Sequence, residues 1–304
     1  MENEKVSIIM PCYNNESTVT QAIFGVINQT YRPIEFILVN DGSTDGSAAV
    51  IESLENQIRD ADIEFKYYLQ PNQGLGGAID TGLKYVTGSY LAWIDSDDEL
   101  LPESVAIRVK FLQEHPDFGS VSSNAVEFIC KDGEDQLGEL VSKNIKVESE
   151  ENQFIHMLKS ESLFCSGCHM LRTEVFNESH GGMHIYPARH GQNWQMLLPV
   201  YYMSKHGFVN IPLYKYRMSK DSMSAQILKM SPKKFYERKR EYLNIVKNTL
   251  AQIPGMDDKQ RRYYYRICRN KIYEQNLDEA IYMQHGLYRF RWRVSLFLNR
   301  LLNR

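Results

Sequence analysis

The feature that most constrains this chain is a rhythm. Short apolar runs rich in β-branched residues alternate with helical patterns, one pair every roughly 25–30 residues, over the first third of the sequence. Val6–Met10 reads as a buried strand that stops at Pro11. Glu16–Gln29 puts Val19, Ala22, Ile23, Val26 and Ile27 on one helical face, with Asn15 or Ser17 as its cap. The strand pattern returns at Ile34–Val39, Glu64–Leu69 and Tyr90–Ile94, and the helical one at Asp45–Leu54, Gly74–Val86 and Pro102–Glu114. This alternation predicts an α/β fold built on a mostly parallel, twisted sheet flanked by helices. Right-handed crossovers then bring the loops that follow the strands to one edge, where such sheets bind ligands.

Three of those loops are chemically rich: Pro11–Asn15, Asn40–Asp45 and Asp95–Asp98. The third follows Tyr-Leu-Ala-Trp-Ile with three carboxylates in four residues, an expensive place for negative charge unless a cation binds there. Alternation at a strand end can set Asp95 and Asp97 on one side, as two hard oxygen donors suited to Mg²⁺ or Mn²⁺. The other reading is an acidic turn that opens the next helix, with Asp98 as its cap. Neither the dinucleotide-binding glycine fingerprint nor a P-loop is present, and Gly74-Leu75-Gly76-Gly77 reads as a flexible helix entry.

Composition is that of a soluble globular protein, 43% hydrophobic and 24% charged. Charge is unevenly placed. The chain's net charge is −3, but residues 229–304 carry 18 Lys/Arg against 7 Asp/Glu, a net of +11, so residues 1–228 carry −14. A boundary near 226–232 is predicted, with halves 1–118 and 119–228 ahead of it and a basic helical extension, 229–304, behind, broken at Pro254-Gly255. Around Trp292, Ser295, Leu296, Asn299 and Leu302 the extension has an imperfect apolar stripe among arginines. It reads as a peripheral membrane contact, as a helix packed on the rest of the chain, or as a homo-oligomer interface. No nucleic-acid module accompanies the charge. The five cysteines read as free thiols, since Cys165-x-x-Cys168 lacks two further zinc ligands nearby. The N-terminus has no basic and apolar leader pattern, and no run is long enough to span a bilayer, so a cytoplasmic location is expected, at most peripheral at the inner face of the membrane.

Beyond residue 118 the pattern is less regular. Ser120–Cys130 and Gly207–Arg217 read as strands, Lys131–Gly138 as a polar hairpin or loop, and the His- and Gly-rich stretch Asn177–Gln192 as a substrate-facing segment.

Four motifs in order, Ser7-Ile-Ile-Met-Pro-Cys-Tyr-Asn14, Val39-Asn-Asp-Gly-Ser-Thr-Asp45, Asn72-Gln-Gly74 and Asp95-Ser-Asp-Asp98, make the chain resemble family 2 glycosyltransferases of the GT-A fold over residues 5–220. The resemblance implies an inverting enzyme that moves a sugar from a nucleotide-sugar donor, by preference a UDP-sugar, to a glycan or lipid-linked glycan acceptor. It implies hexosyl or N-acetylhexosaminyl transfer in surface polysaccharide or glycoconjugate synthesis, with Mn²⁺ or Mg²⁺ as cofactor. Position by position, it implies nucleotide contacts from Pro11, Tyr13, Asn14, Asp41, Gln73, Gly74, Asp95 and Ser96. Asp97, with Asp95, is implied as the metal ligand. Arg217 or Lys220 in the loop after Tyr216 is either a diphosphate clamp or part of a solvated basic loop.

The sequence departs from the family in two places. Gln192-Asn193 stands where the acidic pair carrying the general base is expected, and an amide is no base near neutral pH. The base is then another residue, with His190, His184 and Glu178 the nearest candidates; or Asn193 orients the acceptor; or the chain is a catalytically silent nucleotide-sugar-binding module or partner subunit. Ala78-Ile79-Asp80 stands where many relatives carry Arg-Asn, so a donor contact made by that arginine has to come from elsewhere.

Overall fold

In β1 (Val6–Cys12) and β2 (Ile34–Asn40) all seven positions are buried, which requires cover on both faces of the sheet. Alternating side chains supply two cores. Val6, Ile8 and Met10 of β1 pack with α1 (Val19–Ile27), α2 (Ser47–Asp60) and later α4 (Ser104–Glu114), whereas Ile9 packs on the other face with α3 (Leu75–Leu83). This is a computed structural model, and it describes residues 3–131, 134–219, 230–282 and 292–296.

Strands β1, β2, β3 (Ile63–Leu69) and β4 (Tyr90–Trp93) pair in parallel in the order β3-β2-β1-β4, as the rhythm predicts. Beyond β4 the sheet is mixed. The short β5 (Glu99–Leu100) lies at the far edge, and the long β6 (Phe118–Lys131) forms a hairpin with β7 (Glu134–Leu140). β8 (His169–Arg172) enters between β4 and β6, antiparallel to both, and β9 (Lys205–Arg217) lies parallel to β6. The 25–30-residue rhythm fails here because hairpins and short helices, α5 (Ile145–Glu148) and α6 (Phe154–Leu158), replace full helical crossovers. A 3₁₀ turn, Ser166–Cys168, precedes β8, and α7 (Thr173–His180) and α8 (Gln192–Met203) close the second core.

The C-terminal extension is a helix pair, α9 (Pro232–Gln252) and α10 (Asp258–Tyr282). Leu243, Val246 and Leu250 of α9 and Cys268 and Ile272 of α10 are buried in the same core as α3 and α8. A further helical turn spans 292–296. There Trp292 and Leu296 are buried, with Trp292 packed against Tyr236 and Tyr273, so two positions of the predicted stripe lie against protein. Asn299 and Leu302 lie outside the described residues. The described cysteines are free, and four of the five are buried. Among the described residues no helix is long and apolar enough to cross a membrane.

Candidate active site

Because Cys12, Asn40 and Leu69 are aligned in neighbouring parallel strands, the loops that follow them open on one edge. The loop after β4 joins them, and together they line a cleft of about 510 Å³. The β1 and β2 loops are laced by side chains. Asn14, in the left-handed region at φ 53°, donates its N–H to Ser43 Oγ at 3.0 Å and accepts from Thr44 N–H at 2.8 Å. This holds Tyr13 at the cleft, 47% exposed, an aromatic face left in water beside polar groups. The predicted cap of α1 is not formed. Thr18 occupies the N-cap position without a side-chain capping bond, Asn15 Nδ2 is drawn to Ser96 Oγ, and Thr18 Oγ1 donates to Ser96 O at 3.2 Å. The β1 loop is thereby tied to the β4 loop.

Asp41 is buried, and both its oxygens accept hydrogen bonds. Gln70 Nε2 and Gln73 N–H donate to Oδ1 at 2.7 and 2.8 Å, and Gly74 N–H donates to Oδ2 at 2.8 Å. It shapes the loop after β3 while lining the cleft. Gln73 contributes its backbone N–H to Asp41 rather than a side chain to the cleft wall.

The acids after β4 have distinct surroundings. Asp98 is buried and does not cap a helix. Its Oδ2 accepts from Tyr214 O–H at 2.8 Å and its Oδ1 from Arg217 N–H at 2.7 Å, which pins β9 to the β4 loop. Asp95 and Asp97 line the cleft half-buried. Burial and then the charge of Asp97 push Asp95 up to about 7, against a hydrogen bond from the Ser166 hydroxyl. Burial likewise raises Asp97, partly offset by Arg217, and it raises Asp98 together with the charges of Asp97 and Asp95. Two hard carboxylate donors in surplus negative potential fit a divalent cation that completes its shell with phosphate oxygens and water. Among the described residues no cluster of three or more His, Cys, Asp or Glu side chains forms a closed metal cage.

Arg217 lies on the cleft wall, its Nε donating to Asp97 O at 2.8 Å, its Nη2 bonded to Gln21 and its guanidinium 4.5 Å over the Phe128 ring. Lys220 lies outside the described residues. The candidate bases are not brought to the cleft. Glu178 and His184 are exposed, and neither lines it. His190 turns to the extension, with Nε2 3.1 Å from Glu241 Oε2, and burial lowers its proton affinity. Asn193 is a structural bridge: Oδ1 accepts from Trp93 Nε1–H at 3.1 Å and lies 3.4 Å from Ser166 Oγ, whose single O–H it shares with Asp95, and Nδ2 donates to Phe164 O. Tyr216 and Asn72 line the cleft inside motifs that the sequence offered, but Arg189 does so with no local signal in the sequence.

The sequence model of glycosyl transferase family 2 matches residues 7–179. Glycosyltransferase GlyA of Streptococcus pneumoniae serotype 4 is 28% identical over 230 residues, covering 73% of this chain and 32% of that protein. An uncharacterized glycosyltransferase of Haemophilus influenzae is 41% identical over 112 residues, 36% of this chain and 43% of that protein. The chain thus spans less than half the length of either relative. Among solved structures, Staphylococcus aureus TarS 1–349 in complex with UDP-GlcNAc superposes with a TM-score of 0.69 at 16% identity, covering 96% of this chain and 79% of that one. A mannosyltransferase of Pyrobaculum calidifontis in complex with GDP-Man and Mn²⁺ gives 0.55 at 14% identity, covering 98% and 85%. These neighbours share the GT-A-type arrangement of an open α/β sheet flanked by helices. With more than half of its residues matched to one family, on a fold and motif order that agree, the chain belongs to glycosyl transferase family 2.

Proposed function

We propose that the cleft binds a nucleotide-sugar, by preference a UDP-sugar, and that the chain transfers the sugar with inversion to a hydroxyl of a glycan or lipid-linked glycan. The observation that carries this reading is the meeting, in one cleft, of Tyr13, Asp41, Asp95 and Asp97 from three different strand ends. In this reading Pro11, Tyr13 and Asn14 lie against the base, and Asp41 both builds the β3 loop and keeps acceptor capacity for a ring N–H. Asp97 and Asp95 would hold Mn²⁺ or Mg²⁺, which when bound supplies positive charge to the departing diphosphate. Arg217 adds a fixed cation on that side. The complexes of TarS with UDP-GlcNAc and of the mannosyltransferase with GDP-Man and Mn²⁺ support the ligand class.

The test is release of nucleoside diphosphate from a donor panel with Mn²⁺ or Mg²⁺ and a glycan acceptor. Acceptor-dependent release that EDTA abolishes is expected. A second reading, a binding module without transfer, is favoured by one observation: Asn193 is committed to Trp93, Ser166 and Phe164, and no acid or histidine of residues 178–193 lines the cleft. Tight UDP binding by calorimetry with no release across the panel would select it.

A further inference from the structure

Resting on the nucleotide-sugar reading, we propose that Arg189 is a donor-phosphate residue: it grips the diphosphate from a different wall than Arg217, carried into the cleft by the segment 181–191. The glycines at the start of α3 make room for that segment. Gly74 has φ +82°, and a Cβ on it would lie 2.7 Å from Arg189 Cα; a Cβ on Gly76 would lie 2.3 Å from Ala188 O. Leu75 N–H donates to Arg189 O at 3.2 Å and Gly76 N–H to Ala188 O at 3.0 Å. The glycines are therefore a docking face, bare of side chains so that a segment more than a hundred residues distant can lie on it.

That docking changes what the helix end can bind. A helix N-terminus holds anions through its free N–H groups. Here the N–H groups of Gln73 and Gly74 go to Asp41, and those of Leu75 and Gly76 go to the docked segment. Anion binding at this wall then falls to a side chain. Ala78 offers none from α3 itself, although it lines the cleft. Arg189 does, and its Nη1 donates to Asn72 Oδ1 at 3.1 Å, which orients the guanidinium while using one of its five N–H donors. Among the described residues lining the cleft the only cations are Arg189 and Arg217, set against four aspartates. Arg217 is already bonded to Asp97 and Gln21.

The back of the segment is anchored to the C-terminal extension. His190 faces Glu241 of α9, and Gly191, at φ +77°, sits so close to α9 that a Cβ would lie 2.9 Å from Ile245 Cδ1. Three consecutive residues thus run from the cleft to the helix pair, and α9 is the support against which Arg189 is held.

Arg189→Ala and Arg189→Lys test the assignment on the full chain, with UDP binding measured by calorimetry and uridine binding by ligand-observed NMR. Arg189→Ala is expected to weaken UDP at least about tenfold while leaving uridine within about twofold, and Arg189→Lys to recover part of the loss. UDP affinity unchanged in Arg189→Ala, or UDP and uridine weakened alike, would overturn the assignment and leave the nucleotide-sugar reading standing. A wild-type chain that binds neither probe would overturn both.

Discussion

Two acidic sites sit at opposite ends of the same parallel strands, and they are solved in opposite ways. At one end Glu35 of β2 is fully buried, yet it accepts from Ser7 Oγ at 2.5 Å, Lys66 Nζ at 2.5 Å, Thr87 N–H at 2.9 Å and Thr87 Oγ1 at 2.7 Å. Burial alone pushes its carboxyl up, but those donors outweigh burial and hold it below the ordinary carboxylate range. At the other end Asp95 and Asp97 have few donors and repel each other, and their proton affinities rise. A carboxylate complete within the protein is architecture. A pair left short of positive charge is a site that something else completes.

Asp97→Asn should separate the two sites most strongly. If Asp97 serves a ligand, removing its charge lowers the rate of nucleoside diphosphate release by about 10²–10³-fold. It also relieves Asp95 and Asp98, so the unfolding free energy in urea stays level or rises. A loss of stability that tracks the loss of activity would make Asp97 architectural and erase the contrast.

Glu35→Gln should do the reverse. It leaves Lys66 with Glu64 and Tyr85 O alone and reverses donor and acceptor roles around a buried group, at a cost of about 2 kcal/mol of unfolding free energy, with the activity of the folded protein retained. The pH dependence follows from the lowered proton affinity. Glu35 contributes stability above the ordinary carboxylate range and loses it as pH falls through its lower folded value. Urea titrations at descending acid pH should therefore show a smaller loss in Glu35→Gln than in the wild type.

Asp41 lies between these cases, since it is satisfied like Glu35 and placed like Asp97. Asp41→Asn must set an amide N–H against Gln73 and Gln70 or against Gly74, whichever way it turns. The expected loss of UDP affinity is about thirtyfold, from about 2 kcal/mol of lost hydrogen bonding. Unchanged UDP affinity, measured by calorimetry, would move Asp41 to the architectural side.

How much could be read from sequence follows the same division. The parallel half was legible because burial on both faces and regular crossovers leave a strong local period, so β1 to β4 and their loops were placed from short segments alone. The acids of the cleft were legible because they interrupt apolar runs. Glu35 interrupts one too, but its meaning lies in Ser7, Lys66 and Thr87, which only strand register brings to it. Arg189 and Asn193 were harder still. Each is defined by a partner 100 or more residues away, Asn72 for Arg189 and Trp93 for Asn193, and no local pattern records that.

Asn193 gives the finest test. A carboxylate at this place in the chain would be a general base if the side chain faced the reacting groups. Here Nδ2 donates to Phe164 O while Oδ1 accepts from Trp93 and Ser166. Asn193→Asp keeps the two acceptor interactions but sets a carboxylate oxygen against a carbonyl, a short distance along the Ser166 hydroxyl from Asp95, which is already short of positive charge. A modest destabilisation of about 1–2 kcal/mol in urea is expected, with no gain in nucleoside diphosphate release. A variant that is stable and transfers several times faster than the wild type would mean that Asn193 occupies a base position after all, and that the reacting groups reach α8.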